Sequence, residues 1–273
     1  MPLFPTSQGD IPSMRRTLSV SLAVLAALVL AACAPRSGGP VLKEQIRDAV
    51  REHPEIVLEA LAEDKVALLE LVEQGARERR DRAMRDKWRQ QLETPLEPAL
   101  DPARPWHGAA DAAVTVVSYS DFLCGYCARG AATLDALVEG SGGTVRHLAK
   151  HAPMSENGEY AARLYEALGL QQEALALDFA RRAFAEQAKI ASAPEPRKAF
   201  HDLALALPGV DAGRLEADLE GETVRDRVRQ DAREFLDWGF SGVPVYLFNG
   251  VALEGAVSEG TMREILELVQ GGR

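Results

Sequence analysis

The chain has 273 residues, 47% of them hydrophobic but only 6% aromatic, and a formal net charge of −10. An acidic balance of this size argues against nucleic acid and against electrostatic binding to anionic lipid, since both are polyanions. The many Ala, Leu, Glu and Arg residues predict a helix-rich protein, with room for one domain of ordinary size plus an appendage.

At the N-terminus, Met14-Arg15-Arg16 is followed by an apolar run of small residues that ends in Leu30-Ala31-Ala32-Cys33. A positive segment, a short apolar core and small residues before a cleavage point form the pattern of an export signal, here residues 1–32. The run is shorter than the ~20 apolar residues that a membrane-spanning helix needs. Leu30-Ala31-Ala32-Cys33 resembles the lipobox of bacterial lipoproteins. That resemblance implies cleavage before Cys33 and lipidation of its thiol, with more than one acyl chain for stable membrane attachment. Ala34, where Asp would retain the protein in the inner membrane, points to the outer membrane. Cleavage as an ordinary secretory peptide would instead leave Cys33 an unpaired exported thiol, which is a liability. Residues 33–40, with Pro35, Gly38, Gly39 and Pro40, read as a flexible tether.

Residues 41–92 read as two or three helices, restarting at His53-Pro54 because proline suits a helix's first turn and disfavours helical geometry in the residue before it. Val57, Leu58 and Leu61 make one apolar stripe, and Leu68, Leu69, Leu71 and Val72 the next. The mixed-charge run Arg77 to Arg82 predicts a solvated face, with Met84, Trp88 and Leu92 as a buried or partner-facing edge. Stripes this narrow, outside the main domain, bury themselves poorly in a monomer, so self-association through residues 41–92 is expected. The alternative is that these helices pack back on the domain. Residues 93–105, with Pro95, Pro98, Pro102 and Pro105, read as a semi-rigid linker to a domain spanning 106–273.

Within that domain, Val114 to Tyr119 predicts a strand that gives way to Cys124-Gly125-Tyr126-Cys127 at the start of a helix running to about Glu139. Positions i and i+3 of a helix lie about 5 Å apart at Cα, inside the window for a disulfide, so the two thiols can interconvert with a disulfide without moving the backbone. The positive helix end favours negative charge at Cys124, making it the candidate nucleophile, with Cys127 as the resolving thiol. The other readings are a zinc half-site or a static disulfide. With three cysteines, an all-cysteine zinc site needs a second subunit, and His107, His147, His151 and His201 show no finger-like spacing, so no metal and no cofactor is expected. A static disulfide closing so short a loop stabilises little.

Ser141-Gly142-Gly143 turns the chain into a strand over Thr144 to Lys150, completing a β-α-β unit. Asn157 to Leu207 reads as helix interrupted near Gly169 and at Pro194 and Pro196, and Asp211 to Trp238 continues helically with Asp211 as N-cap. Val245 to Phe248, Asn249-Gly250 and Val251 to Leu253 form a hairpin with a type I′ turn, and Ser258 caps a closing helix over Thr261 to Val269.

This order of elements resembles the thioredoxin fold in its DsbA-type form: an α/β fold with a helical insertion, preceded by an N-terminal helical segment. Asp121-Phe122-Leu123-Cys124-Gly125-Tyr126-Cys127 is similar to the D-F-x-C-x-Y-C stretch of that family, and Val243-Pro244 falls where the family has its cis-proline. Residues 41–92 are similar to the helical region of DsbA-like proteins of the suppressor-of-copper-sensitivity type, some of which oligomerise. Two positions depart from the family. Gly125 replaces the proline common in its motif, and Ser118 stands where many members place a buried carboxylate used in proton transfer.

The resemblance implies a lipid-anchored, periplasm-facing thiol–disulfide oxidoreductase acting on exported cysteine-containing proteins and recycled by a membrane redox partner. That partner is a quinone-linked oxidase or a membrane reductase according to direction. It also implies that Val243 and Pro244, with a rim near Phe122 and Tyr126, hold the substrate. A reduced, oligomeric isomerase or reductase is the alternative within the class. A non-catalytic lipoprotein and a Cu(I) chaperone using Cys124 and Cys127 are the alternatives outside it.

Overall fold

Strand β2, Val114–Ser120, is buried along nearly its whole length, with Val114, Val116, Val117 and Tyr119 each at most 1% exposed. A strand apolar on both faces belongs inside a sheet with both faces covered. The structure, a computed structural model, describes residues 40–271, so the assignments for the export signal, the tether and Cys33 lie outside the described residues. β2 pairs in parallel with β3, Val145–His151, and antiparallel with β4, Val245–Phe248. The hairpin partner β5, Val251–Glu254, lies on one edge, and β1, Trp106–Gly108, on the other, giving the order β1-β3-β2-β4-β5. The hairpin turns through Asn249 (φ 46°) and Gly250 (φ 88°). Strand β1, three residues long, is too short for a periodic sequence signal.

The helix that carries the cysteines, α4 (Gly125–Gly140), follows three N-terminal helices: α1 (Pro40–Glu52), α2 (Pro54–Glu63) and α3 (Lys65–Glu93). The insertion between β3 and β4 holds α5 (Glu156–Gln171), α6 (Glu173–Ala185), α7 (Gln187–Ala191), α8 (Pro196–Leu205), α9 (Ala212–Leu219) and α10 (Glu222–Asp237); α11 (Glu259–Gly271) closes the domain. The mixed α/β class with helical insertion is therefore as expected from the sequence. Two expected boundaries move. The interruption expected near Gly169 falls three residues on, at the extended Gln172; Gly169 itself lies inside α5, where a Cβ would come within 2.4 Å of Pro105. The helix expected from Asp211 to Trp238 is broken at Gly221, although Asp211 does cap α9 by accepting from the Arg214 amide at 3.0 Å.

The chain forms two compact units that part between Ala76 and Arg77. In the first, the apolar residues of α1, α2 and early α3 are exposed, among them Ile46, Ile56, Leu58, Leu61, Val66 and Leu71. The second unit takes the rest of α3, so the region expected as 41–92 divides inside a helix. Trp88 is 1% exposed, packs with Met84 and Leu92, and donates through Nε1 to the Ala252 carbonyl at 3.2 Å. Gln91 completes that contact, its Oε1 accepting from the Ala252 amide at 3.0 Å.

Of residues 93–105, expected as a semi-rigid linker, Glu93 ends α3 and residues 94–105 are a strap fastened to the domain. The Leu96 amide donates to the Gly250 carbonyl at 3.0 Å, and Arg104 is 5% exposed. The Arg104 guanidinium meets both carboxylate oxygens of Asp231, at 2.8 and 2.7 Å, and Glu166 at 2.5 Å. Around them His151 Nε2 lies 3.0 Å from Glu166, Arg227 pairs with Glu166 and Asp101, and Lys150 reaches Glu234 at 2.6 Å. Burial alone would raise the Glu166 carboxyl. The His151 hydrogen bond and the Arg104 charge outweigh it and bring the group from 4.5 down to about 2.

Removing one partner of a buried ion pair strands the others, so Arg104→Met is expected to cost about 3–5 kcal/mol in denaturant unfolding at neutral pH. Because the folded Glu166 value is depressed, its contribution is present above the unfolded value and is lost as pH falls toward about 2. The gap between wild type and variant therefore narrows on acidification, and a gap that stays constant between neutral pH and pH 3 contradicts this account.

Candidate active site

The cysteine loop is built from Asp121, the first residue after β2. Its carboxylate accepts from the Leu123 amide at 2.7 Å, an Asx-type turn, and from the Met154 amide at 2.6 Å, tying the loop to the chain leaving β3. Its own amide donates to Cys127 Sγ at 3.5 Å, and its carbonyl accepts from the Cys124 amide at 3.1 Å. Gly158 leaves space for this arrangement, since a Cβ there would lie 2.6 Å from an Asp121 oxygen. Asp121 is the residue that motif reading undervalued; the signal was its place three residues before the first cysteine, with a turn between.

Cys124 is the extended N-cap of α4, half-buried, and Cys127 sits one turn in at 1% exposure. Both are free thiols. Cys124 Sγ donates to the Val243 carbonyl at 3.7 Å, and the Val243–Pro244 peptide is cis, the geometry that the resemblance implied. Burial pushes the Cys127 thiol well above its ordinary value, and the hydrogen bond with Cys124 adds to this. The Tyr246 hydroxyl packs over the same helix, so a Cβ at Gly130 would overlap it at 1.8 Å.

The structure brings Cys124, Cys127, Val243 and Pro244 together. Tyr126 is 60% exposed beside them, with the Arg129 guanidinium 4.6 Å from its ring centre. Phe122, expected at the substrate rim, is not there. It is 3% exposed and stacks on Phe184 at 4.9 Å within the Phe179–Phe200 cluster, because the residue after Asp121 turns into the core under the insertion.

A cavity of about 300 Å³ lies behind Cys127, between α4, α6 and the sheet, with Ser118, His147, His107 and Asp135 on its wall. Ser118, the position read from the sequence as lacking the carboxylate of the family pattern, has its Oγ 2.8 Å from His147 Nε2. Burial pushes His147 down to about 4. Burial would raise Asp135, but the His107 hydrogen bond and the charges of both histidines and Arg181 hold it below its ordinary value. Among the described residues two groups have metal-ligating donors within 4.8 Å of one another, His107–Asp135–His147 and His151–Glu166–Asp231. The second is already filled by the cations Arg104, Arg227 and Lys150.

A family model described as Thioredoxin matches residues 101–268. Among curated proteins, the Na(+)/H(+) antiporter NhaA of Herminiimonas arsenicoxydans is 32% identical over 182 residues, which is 66% of this chain and 27% of that protein. The chain thus spans about a quarter of the length of this relative. Among solved structures, a thioredoxin-like oxidoreductase from Silicibacter pomeroyi superposes with a TM-score of 0.55 at 24% identity, covering 63% of this chain and 94% of that one. The thiol-disulfide exchange protein alpha-DsbA2 of Wolbachia pipientis does so with a TM-score of 0.54 at 17% identity, covering 70% and 97%. At these identities the likeness is one of fold.

Asp121→Ala removes the carboxylate acceptor of two part-buried loop hydrogen bonds, which together contribute about 1–3 kcal/mol. Denaturant unfolding is expected to show that loss. Unchanged stability means the loop holds its shape without Asp121.

Proposed function

Because the chain belongs to the thioredoxin family, we propose that it is a thiol–disulfide oxidoreductase acting on cysteines of exported proteins, with Cys124 as nucleophile and Cys127 as resolving thiol. The observation that carries this reading is the half-buried Cys124 sulfur 3.7 Å from the Val243 carbonyl, with its dithiol partner Cys127 buried behind it. In the reducing direction the Cys124 thiolate attacks one sulfur of a client disulfide, displaces the other as a thiolate and forms a mixed disulfide. Cys127 loses its proton and attacks the Cys124 sulfur, which releases the second client thiol. Two electrons have then passed to the client, and the protein holds the Cys124–Cys127 disulfide. Oxidation of a client is the same sequence reversed. A membrane partner, quinone-linked oxidase or reductase, restores the starting form.

Val243 presents its main chain to an extended client as an added strand, and exposed Tyr126 supplies an apolar contact. Burial makes the Cys127 thiol hard to ionise, and no carboxylate stands at Ser118 to take its proton. Export and lipidation at Cys33 rest on the sequence pattern from Met14 to Cys33, and both belong to this reading.

The isomerase or reductase alternative draws support from the apolar residues exposed on α1, α2 and early α3. Association of chains through that unit would set several dithiols around one client.

Cys124→Ala is expected to abolish dithiol-driven insulin reduction, and unchanged turnover excludes Cys124 as the nucleophile. Sedimentation of the full chain without its lipid, against residues 77–273, is expected to show an oligomer that the shorter form loses; equal monomers remove the associating role of the N-terminal helices.

A further inference from the structure

We propose that His107, Asp135 and His147 form a binding site for a divalent transition ion of the zinc class, on the wall of the cavity that Cys127 borders. The three come from separate elements. His107 on β1 and His147 on β3 stand directly opposite in antiparallel register, so their rings share one face of the sheet. Asp135 reaches that face from α4, and His107 Nδ1 lies 3.4 Å from its Oδ1. One donor atom from each residue falls within 4.8 Å of the other two. In a tetrahedral zinc site with bonds of about 2.0–2.2 Å, neighbouring donors are ~3.4 Å apart, so side-chain rotations of order 1 Å close the set.

The surroundings match those of a metal site. Ser118 Oγ lies 2.8 Å from His147 Nε2, a hydrogen bond that fixes the orientation of the ring. Arg181 contacts the other Asp135 oxygen at 3.4 Å and is itself held by Glu139 at 3.1 Å, so it orients the carboxylate without filling the centre. Two imidazoles and a carboxylate leave a fourth position open, and the cavity supplies the space for it. The sequence shows no zinc motif because the ligands meet only through the β1–β3 register. A bound ion would clamp the three-residue edge strand β1 to β3 and α4.

The test uses the full chain with Cys33→Ser, Cys124→Ser and Cys127→Ser, so that no thiolate competes, freed of metal with a chelator. Titration with Zn2+ by calorimetry is expected to give one equivalent bound and a thermal midpoint that rises with Zn2+. Co2+ is expected to give visible bands of a low-coordinate site without sulfur charge transfer. In that background His107→Ala and the near-isosteric Asp135→Asn should each weaken binding at least tenfold, while His201→Ala, remote and paired with Glu216, should not. Thermal melts without metal report whether each variant is folded, and Asp135→Asn keeps the test open should His107→Ala unfold. Absence of a bound equivalent at micromolar Zn2+, or binding indifferent to both ligand substitutions, overturns the site.

Discussion

A single buried guanidinium organises the domain. Arg104 lies on a segment without regular structure, yet its charge is shared between Asp231 on α10 and Glu166 on α5. Arg227 and His151 add to the support of Glu166, and Lys150 to that of Asp231, but among the described residues Arg104 alone pairs its charge with both carboxylates, and its removal would leave each short of a buried partner. The same Asp231 accepts from the His151 amide at 3.0 Å, at the end of β3. One residue later the Ala152 amide bonds the Ser120 carbonyl, and Met154 then bonds Asp121. A continuous hydrogen-bonded path thus runs from the strap through the end of β3 to the cysteine loop. The loop that holds Cys124 and Cys127 is thereby linked to an ion pair between residues 127 positions apart, Arg104 and Asp231.

This path explains what could and could not be read from the chain. The strand ahead of the cysteines, the helix behind them, the Asn249-Gly250 hairpin and the Asp211 cap all rest on local chemistry, and local chemistry is visible in sequence. Gly169 reads locally as a helix breaker, but a glycine is also what lets α5 pass against Pro105, and that contact is tertiary. The prolines of residues 93–105 spell a spacer, while Arg104 turns the segment into a strap through partners more than forty residues away. Phe122 reads as a rim residue from its place beside the cysteines; only the aromatic cluster of the insertion shows that it points inward.

The site sets its two thiols at the start of α4 with a hydroxyl behind the second. A carboxylate beneath the second cysteine would sit at Ser118, and the structure puts there a hydroxyl paired with His147. Replacing a charge by a neutral pair lowers the penalty of leaving that region dry, which agrees with the largely apolar cavity above it. It also removes a negative charge that would oppose ionisation of Cys127. The exchange is between a local proton acceptor and a less hostile electrostatic setting for the buried thiolate.

The contact between α3 and β5 bears on how this sheet avoids unwanted pairing. β5 is an edge strand, and an edge strand offers free amide and carbonyl groups to any extended chain nearby. At Ala252 both groups are taken, the carbonyl by the Trp88 indole and the amide by the Gln91 side chain. Side chains of a helix thus stand in for the next strand. A protein whose proposed clients dock at Val243 as extended chains offers them no free pairing groups at Ala252 on the β5 edge. The helix that leads into the domain works in this sense as a cap on the sheet edge.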